Sequence, residues 1–78
     1  MINVKNKQLL YVFGDKVREL RLSKNLSQET LANLADIPLS QIGRIERGEI
    51  NPTLSTMFAI AKALKITLPD ITDVKMKY

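Results

Sequence analysis

Apolar residues recur along this chain at steps of three and four, with polar residues filling the positions between. Leu10, Phe13, Val17 and Leu20 step by 3, 4 and 3, which is the spacing of one helical face and predicts a helix over residues 8–23. After the polar turn Ser23-Lys24-Asn25 comes LSQETLANLA. There Ser27 is placed to cap a second helix, Glu29 lies near the positive end of its dipole, and Leu26 and Leu31 have the spacing of a hydrophobic staple. This helix is expected to bury Leu31, Leu34 and Ala35. It should stop at Asp36, because Pro38 pushes Ile37 out of the helical region and Asp tolerates turn conformations. Pro38 is a fitting start for a third helix, which then runs to Arg47 with Gly48 as its left-handed stop. Asn51-Pro52 forces a turn, Thr53 can cap, and Leu54, Met57, Ala61 and Leu64 again step by 3, 4 and 3, predicting a fourth helix. A short fifth helix is expected around Leu68 to Thr72. Strict alternation occurs only at the ends, in Ile2 and Val4 and in Val74, Met76 and Tyr78. Those ends are expected to pair as a short β-ribbon.

The pattern thus describes an all-α chain of five helices, read as one domain over 1–78 with a core of about 8–72 and flanking segments 1–7 and 73–78. A chain of 78 residues buries only about 60% of its unfolded surface, so help from a partner subunit is expected. Hydrophobic residues at 45% and charged residues at 26% are ordinary for a globular protein. The chain has neither cysteine nor histidine, which removes disulfides, zinc clusters, thiol nucleophiles and the usual general base. Asp15, Glu19, Glu29, Asp36, Glu49, Asp70 and Asp73 show no metal-binding or acid–base spacing and read as solvated. No enzymatic step, metal, cofactor or small-molecule ligand is therefore expected. MINVKNKQLLYVF has no apolar core long enough for a signal peptide, and no run is long enough to span a membrane, so a soluble cytoplasmic protein is expected. The net charge of +4 and pI near 9.6 favour an anionic partner, and the placement of the charges must identify it.

That placement centres on SQIGRIERGEINP, residues 40–52. With Ile42 and Ile45 on one helical face, Leu39, Ser40, Gly43, Arg44 and Arg47 are left on the outer one. Gly43 costs about 1 kcal/mol of helix propensity relative to Ala, so it is expected to permit a close approach, either of a ligand or of a neighbouring helix. The second helix, a tight turn and the third helix form a helix-turn-helix pattern, whose crossing needs a small residue at the contact, here Ala32.

Residues 28–47 resemble the Cro/cI-type (XRE-like) helix-turn-helix family. In its twenty-residue pattern the fifth position is small, here Ala32. The fourth, tenth, fifteenth and eighteenth are apolar, here Leu31, Ile37, Ile42 and Ile45. Asp36 stands where glycine is usual at the ninth. The likeness extends to Arg21, to the run RIERGEINPTL and to the IAKAL of the fourth helix, and covers roughly residues 13–72. It implies a lambda-repressor-like DNA-binding domain whose third helix, about residues 38–47, enters the major groove. By similarity, Ser40 and Arg44 hydrogen-bond base edges, Arg44 most naturally a guanine. Leu39, where a polar reader is more usual, makes an apolar contact such as a thymine methyl. Gln28, Arg47, Asn51 and Thr53 are the candidates for phosphate contacts, with Lys24 behind them. The resemblance also implies a structural ion pair between Arg21 and Glu46.

The family forms two-fold dimers through its last third, where Phe58, Ile66, Leu68, Ile71 and Val74 are the interface candidates. Two recognition helices would then lie about 34 Å apart, on half-sites one turn of DNA apart. The expected function is a sequence-specific transcriptional regulator acting on double-stranded DNA as a homodimer at a two-fold symmetric operator. Stand-alone members of this size include phage-type repressors and restriction-modification controller proteins. The alternative is an antitoxin-like interaction module with a toxin as its main partner and DNA binding secondary. RNA polymerase is a further possible protein partner. An RNA adaptor is disfavoured by having only two Tyr and two Phe from which to build a stacking platform.

Overall fold

The computed structural model describes residues 6–74. They form α1 (Lys7–Ser23), α2 (Gln28–Ala35), α3 (Leu39–Glu46), α4 (Leu54–Ala63) and α5 (Leu68–Thr72). The chain is all-α, with no strand among the described residues. The expected terminal β-ribbon lies, apart from Val74, outside the described residues. The sequence pattern carries the third helix from Pro38 to Arg47; these two residues are its caps.

Four of the five helix starts follow from a side chain that satisfies amides the helix leaves free. Asn6 Oδ1 accepts from the Leu9 amide at 3.0 Å, Ser27 Oγ from Thr30 at 3.0 Å and Thr53 Oγ1 from Thr56 at 3.1 Å. At α5 the Asp70 amide donates to Thr67 Oγ1 at 3.2 Å while the Thr67 amide donates to Asp70 Oδ2 at 3.1 Å, a reciprocal capping box. Only α3 starts without a side-chain cap, from Pro38, which has no amide hydrogen to offer.

The stops are equally regular. Asn25, Asp36, Gly48 and Lys65 all take positive φ, between 57° and 73°. At each, the following amide reaches back to a carbonyl five residues earlier: Leu26 to Arg21, Ile37 to Ala32, Glu49 to Arg44 and Ile66 to Ala61, at 2.9–3.1 Å. This is the Schellman arrangement, which closes four successive helices in one way. Asp36 adopts the left-handed conformation at the position where the helix-turn-helix pattern usually has glycine.

The core is drawn from every helix: Phe13 and Val17 of α1, Leu31 and Ala32 of α2, Ile42 and Ile45 of α3, Ile60 and Ala61 of α4 with Leu64 after it, and Ile71 of α5. Helix α1 packs on α3 and α5, α2 on α3 and α4, and α4 on α5. Leu26, at the staple position before α2, packs against this cluster.

Three residues sit differently from the sequence reading. Leu34 is 59% exposed instead of buried. Leu31, Ala32 and Ala35 define the inner face of α2, and at about 100° per residue Leu34 is turned about 100° from its middle. Leu54 is 63% exposed, whereas Met57 on the same predicted face is half-buried against the core. The inward positions of α4 are Ile60 and Ala61, and Leu54 stands ahead of them in the first turn. Gly43 is buried, not on the outer surface.

The spacing of apolar residues passes over Gly14. A Cβ built there would lie 2.6 Å from the Glu46 carbonyl oxygen and 2.9 Å from its carbon. Helix α1 therefore touches the backbone at the end of α3, and only a glycine allows that approach.

Candidate nucleic-acid interface

The side of α3 that faces the core is fixed by Ile42 and Ile45, 0% and 1% exposed. Opposite them the helix presents Leu39, Ser40 and Arg44 to solvent, with Arg47 exposed at its end. These are the outward residues that the sequence singles out, apart from Gly43. A Cβ on Gly43 would meet Arg47 Nη1 at 3.0 Å and Gln28 Oε1 at 3.7 Å. The glycine thus provides a seat on which two long polar side chains lie across the helix.

Beneath that seat is a buried polar network. Arg21 Nε donates to Glu46 Oε2 at 2.7 Å and Nη2 to Oε1 at 3.0 Å, while Nη1 donates to the Leu26 carbonyl at 2.8 Å. Gln28 Nε2 adds a hydrogen bond to Glu46 Oε1 at 3.1 Å. Arg21 and Glu46 are 8% and 7% exposed, and no buried side-chain nitrogen or oxygen among the described residues lacks a partner. Hydrogen bonding to Glu46 pushes the Arg21 guanidinium above its ordinary pKa, against the opposing effect of burial. The network joins the end of α1, the start of α2 and the end of α3, and so holds the two helices of the motif at one angle.

A second network lies at the surface. Glu49 follows the Gly48 turn, and its carboxylate accepts from Arg47 Nε at 2.6 Å and Nη2 at 3.4 Å. Arg44 Nε is 3.8 Å from the same carboxylate. The Arg47 hydrogen bond, and then the charges of Arg47 and Arg44, lower the Glu49 pKa. In the sequence Glu49 reads as one more solvated carboxylate; the structure gives it two arginine neighbours.

The remaining candidates are spread around this face. Asn51 and Thr53 are exposed after the turn, with the Thr53 hydroxyl donating to Thr56 Oγ1 at 3.1 Å besides capping α4. Lys24 is exposed beyond α1. Gln28 is half-buried with its amide turned to Glu46. Of the dimer candidates, Phe58 is 56% exposed and lines a shallow groove with Leu34, Ala59 and Ala63. Ile66, Leu68 and Val74 pack in part against the core. Ile71 is 0% exposed, so its surface is spent within the protomer and a second chain cannot use it. Sequence reasoning missed Leu34 here because it counted that residue as core.

Among the described residues no group of three or more carboxylate, imidazole or thiol side chains is placed to hold a metal ion. No helix there is long and apolar enough to cross a membrane.

Compared with known proteins, residues 17–71 match the model of the family described as Helix-turn-helix (HTH_3). The control protein C.BamHI of Bacillus amyloliquefaciens is 46% identical over 63 residues, 80% of this chain and 78% of that one. The control protein C.SmaI of Serratia marcescens is 42% identical over 60 residues, 77% and 71% of the two chains. In three dimensions the chain superposes on the restriction-modification controller protein C.AhdI from Aeromonas hydrophila with a TM-score of 0.79 and 41% identity, covering 85% of this chain and 98% of that one. The chain therefore belongs to the helix-turn-helix family of Cro/cI (XRE-like) type, a family of DNA-binding transcription regulators and not of enzymes.

Proposed function

We propose that the protein is a sequence-specific transcriptional regulator that binds a two-fold symmetric operator as a homodimer, with α3 lying in the major groove. The observation that carries this reading is the division of α3. Ile42 and Ile45 are sealed in the core, while Leu39, Ser40 and Arg44 stand exposed on a helix held rigidly by the Arg21–Glu46–Gln28 network. A major groove about 12 Å wide admits such a helix. Ser40 and Arg44 read base edges, Arg44 a guanine, and Leu39 packs on a thymine methyl. Arg47, Asn51 and Thr53 grip phosphates, as does Gln28 at the free amides that open α2.

The dimer forms through the α4–α5 end, where exposed Phe58 is joined by the outer parts of Ile66, Leu68 and Val74. Control proteins at 46% and 42% identity and a controller structure matched over 98% of its length support restriction-modification control as the process regulated.

The roles are separable by titration. Arg44→Ala should relax preference at one base pair, whereas Arg47→Ala should weaken binding to all duplexes alike and reduce the salt slope by about 1. Equal behaviour of the two variants on specific and random DNA would overturn this division. Sedimentation showing only monomer at micromolar concentration, with and without operator, would overturn the dimer.

A further inference from the structure

Glu49 is out of place on a surface that meets DNA. A duplex carries one negative charge per about 1.7 Å of its axis, and a carboxylate brought to it is repelled. Yet the chain holds this carboxylate firmly. The Glu49 amide donates to the Arg44 carbonyl at 2.9 Å and the Gly48 amide to Ile45 at 3.0 Å, so the turn that ends α3 sets the Glu49 backbone beside the helix. From there its side chain takes Arg47 in two hydrogen bonds and lies 3.8 Å from Arg44. All three side chains are about half exposed, within reach of a ligand.

We propose that Glu49 is an intramolecular rival to DNA, and that it lowers affinity for the operator more than affinity for random duplex. The inference rests on the reading of α3 as the recognition helix. Its asymmetry comes from what each kind of DNA offers Arg44. A guanine at the right position offers a bidentate pair that discriminates by roughly tenfold or more. An exposed ion pair such as Arg44–Glu49 shifts an equilibrium by only a few-fold, so the operator draws Arg44 away and bears the full loss of the pair. Random duplex offers mainly single, salt-screened phosphate contacts, which compete with Glu49 on nearly equal terms. There the arginines remain shared with the carboxylate, so less of the pairing is lost and fewer phosphates are neutralised. Glu49 thereby limits the preference for operator over random duplex without touching a base.

The test titrates wild type and Glu49→Gln against a selected operator and a scrambled duplex across a salt series, with thermal unfolding as a control for the fold. Glu49→Gln is expected to raise affinity for operator about three- to tenfold and affinity for scrambled DNA by clearly less. It should also steepen the dependence of log K on log salt for scrambled DNA by about 1. Equal gains on both duplexes with an unchanged salt slope would reduce Glu49 to one unit of net charge and overturn the proposal. No gain on either duplex would overturn it as well. Glu49→Ala should repeat the Gln result, because the backbone of the turn and not the side chain closes the helix. Wild type failing to bind any duplex above background would instead overturn the DNA-binding reading, and this inference with it.

Discussion

Replacing Arg21 by methionine should cost the fold about 3–5 kcal/mol, because it strands a buried carboxylate. In the native protein Glu46 receives two hydrogen bonds from Arg21 and one from Gln28, and Arg21 also satisfies the Leu26 carbonyl. The side chains of the pair are 9% and 3% exposed, so water cannot readily take the place of the lost guanidinium. After Arg21→Met, Glu46 keeps only the Gln28 amide, and Leu26 loses its partner. A chain of this size has a net stability of about 4–12 kcal/mol, so the loss is a large share of the total. At about 4–8 °C per kcal/mol, the melting temperature should fall by about 12–40 °C. The control is the double variant Arg21→Met/Glu46→Leu. It replaces both charges by apolar groups, which is often nearly neutral for a buried pair. The double variant should recover at least half of the single variant's loss, less the cost of the unpaired Leu26 carbonyl. Urea unfolding followed by circular dichroism at neutral pH measures all three proteins. Wild-type stability in the single variant, or a double variant as unstable as the single, would refute the reasoning.

Glycine positions supply a contrast of sign. Gly14→Ala should destabilise by about 1–3 kcal/mol, because its Cβ would strike the Glu46 backbone. Gly43→Ala should stabilise by about 0.5–1 kcal/mol, because its nearest obstacle is the mobile end of Arg47; thermal melts giving both the same sign would refute the comparison. Lys65→Gly should stabilise by about 1 kcal/mol, since Lys65 holds φ 59° without the freedom of glycine, and a lower melting temperature would count against this. Hydrogen bonding to Thr67 holds the Asp70 carboxyl below its ordinary value of 3.8, so its contribution is full above that value and is lost as pH falls through the lower native one. Asp70→Asn should flatten the acid limb of stability against pH, and an unchanged limb below about pH 4 would show that the capping box carries none of it.

The helices were legible in the sequence because their signals are local. Asn51-Pro52, Ser27, Thr53, Pro38 and Gly48 act within one or two turns of themselves, and each marks an element that the structure contains. Side-chain facing was harder, because α2 and α4 are only 8 and 10 residues long. Over so few turns, Leu34 and Leu54 satisfy an apolar spacing without facing the core. What the sequence conceals is any relation across elements. Gly14 matters only through the backbone of α3, and Gly43 only through side chains of α2 and its own last turn. Glu49 looks like any surface carboxylate until the Gly48 turn brings it beside Arg44 and Arg47. The Arg21–Glu46 pair spans 25 residues and could be anticipated only through the family resemblance.

The central claim is that α3 reads a specific sequence from a dimer, and the most direct test is selection of bound sites from a random duplex pool at about 0.15 M salt. The selected site is then titrated against a scrambled duplex. A two-fold symmetric consensus preferred by about 10³ or more is the expected result. No consensus, or equal affinity for scrambled DNA, would contradict the claim and leave the basic face of α3 as a charged surface alone.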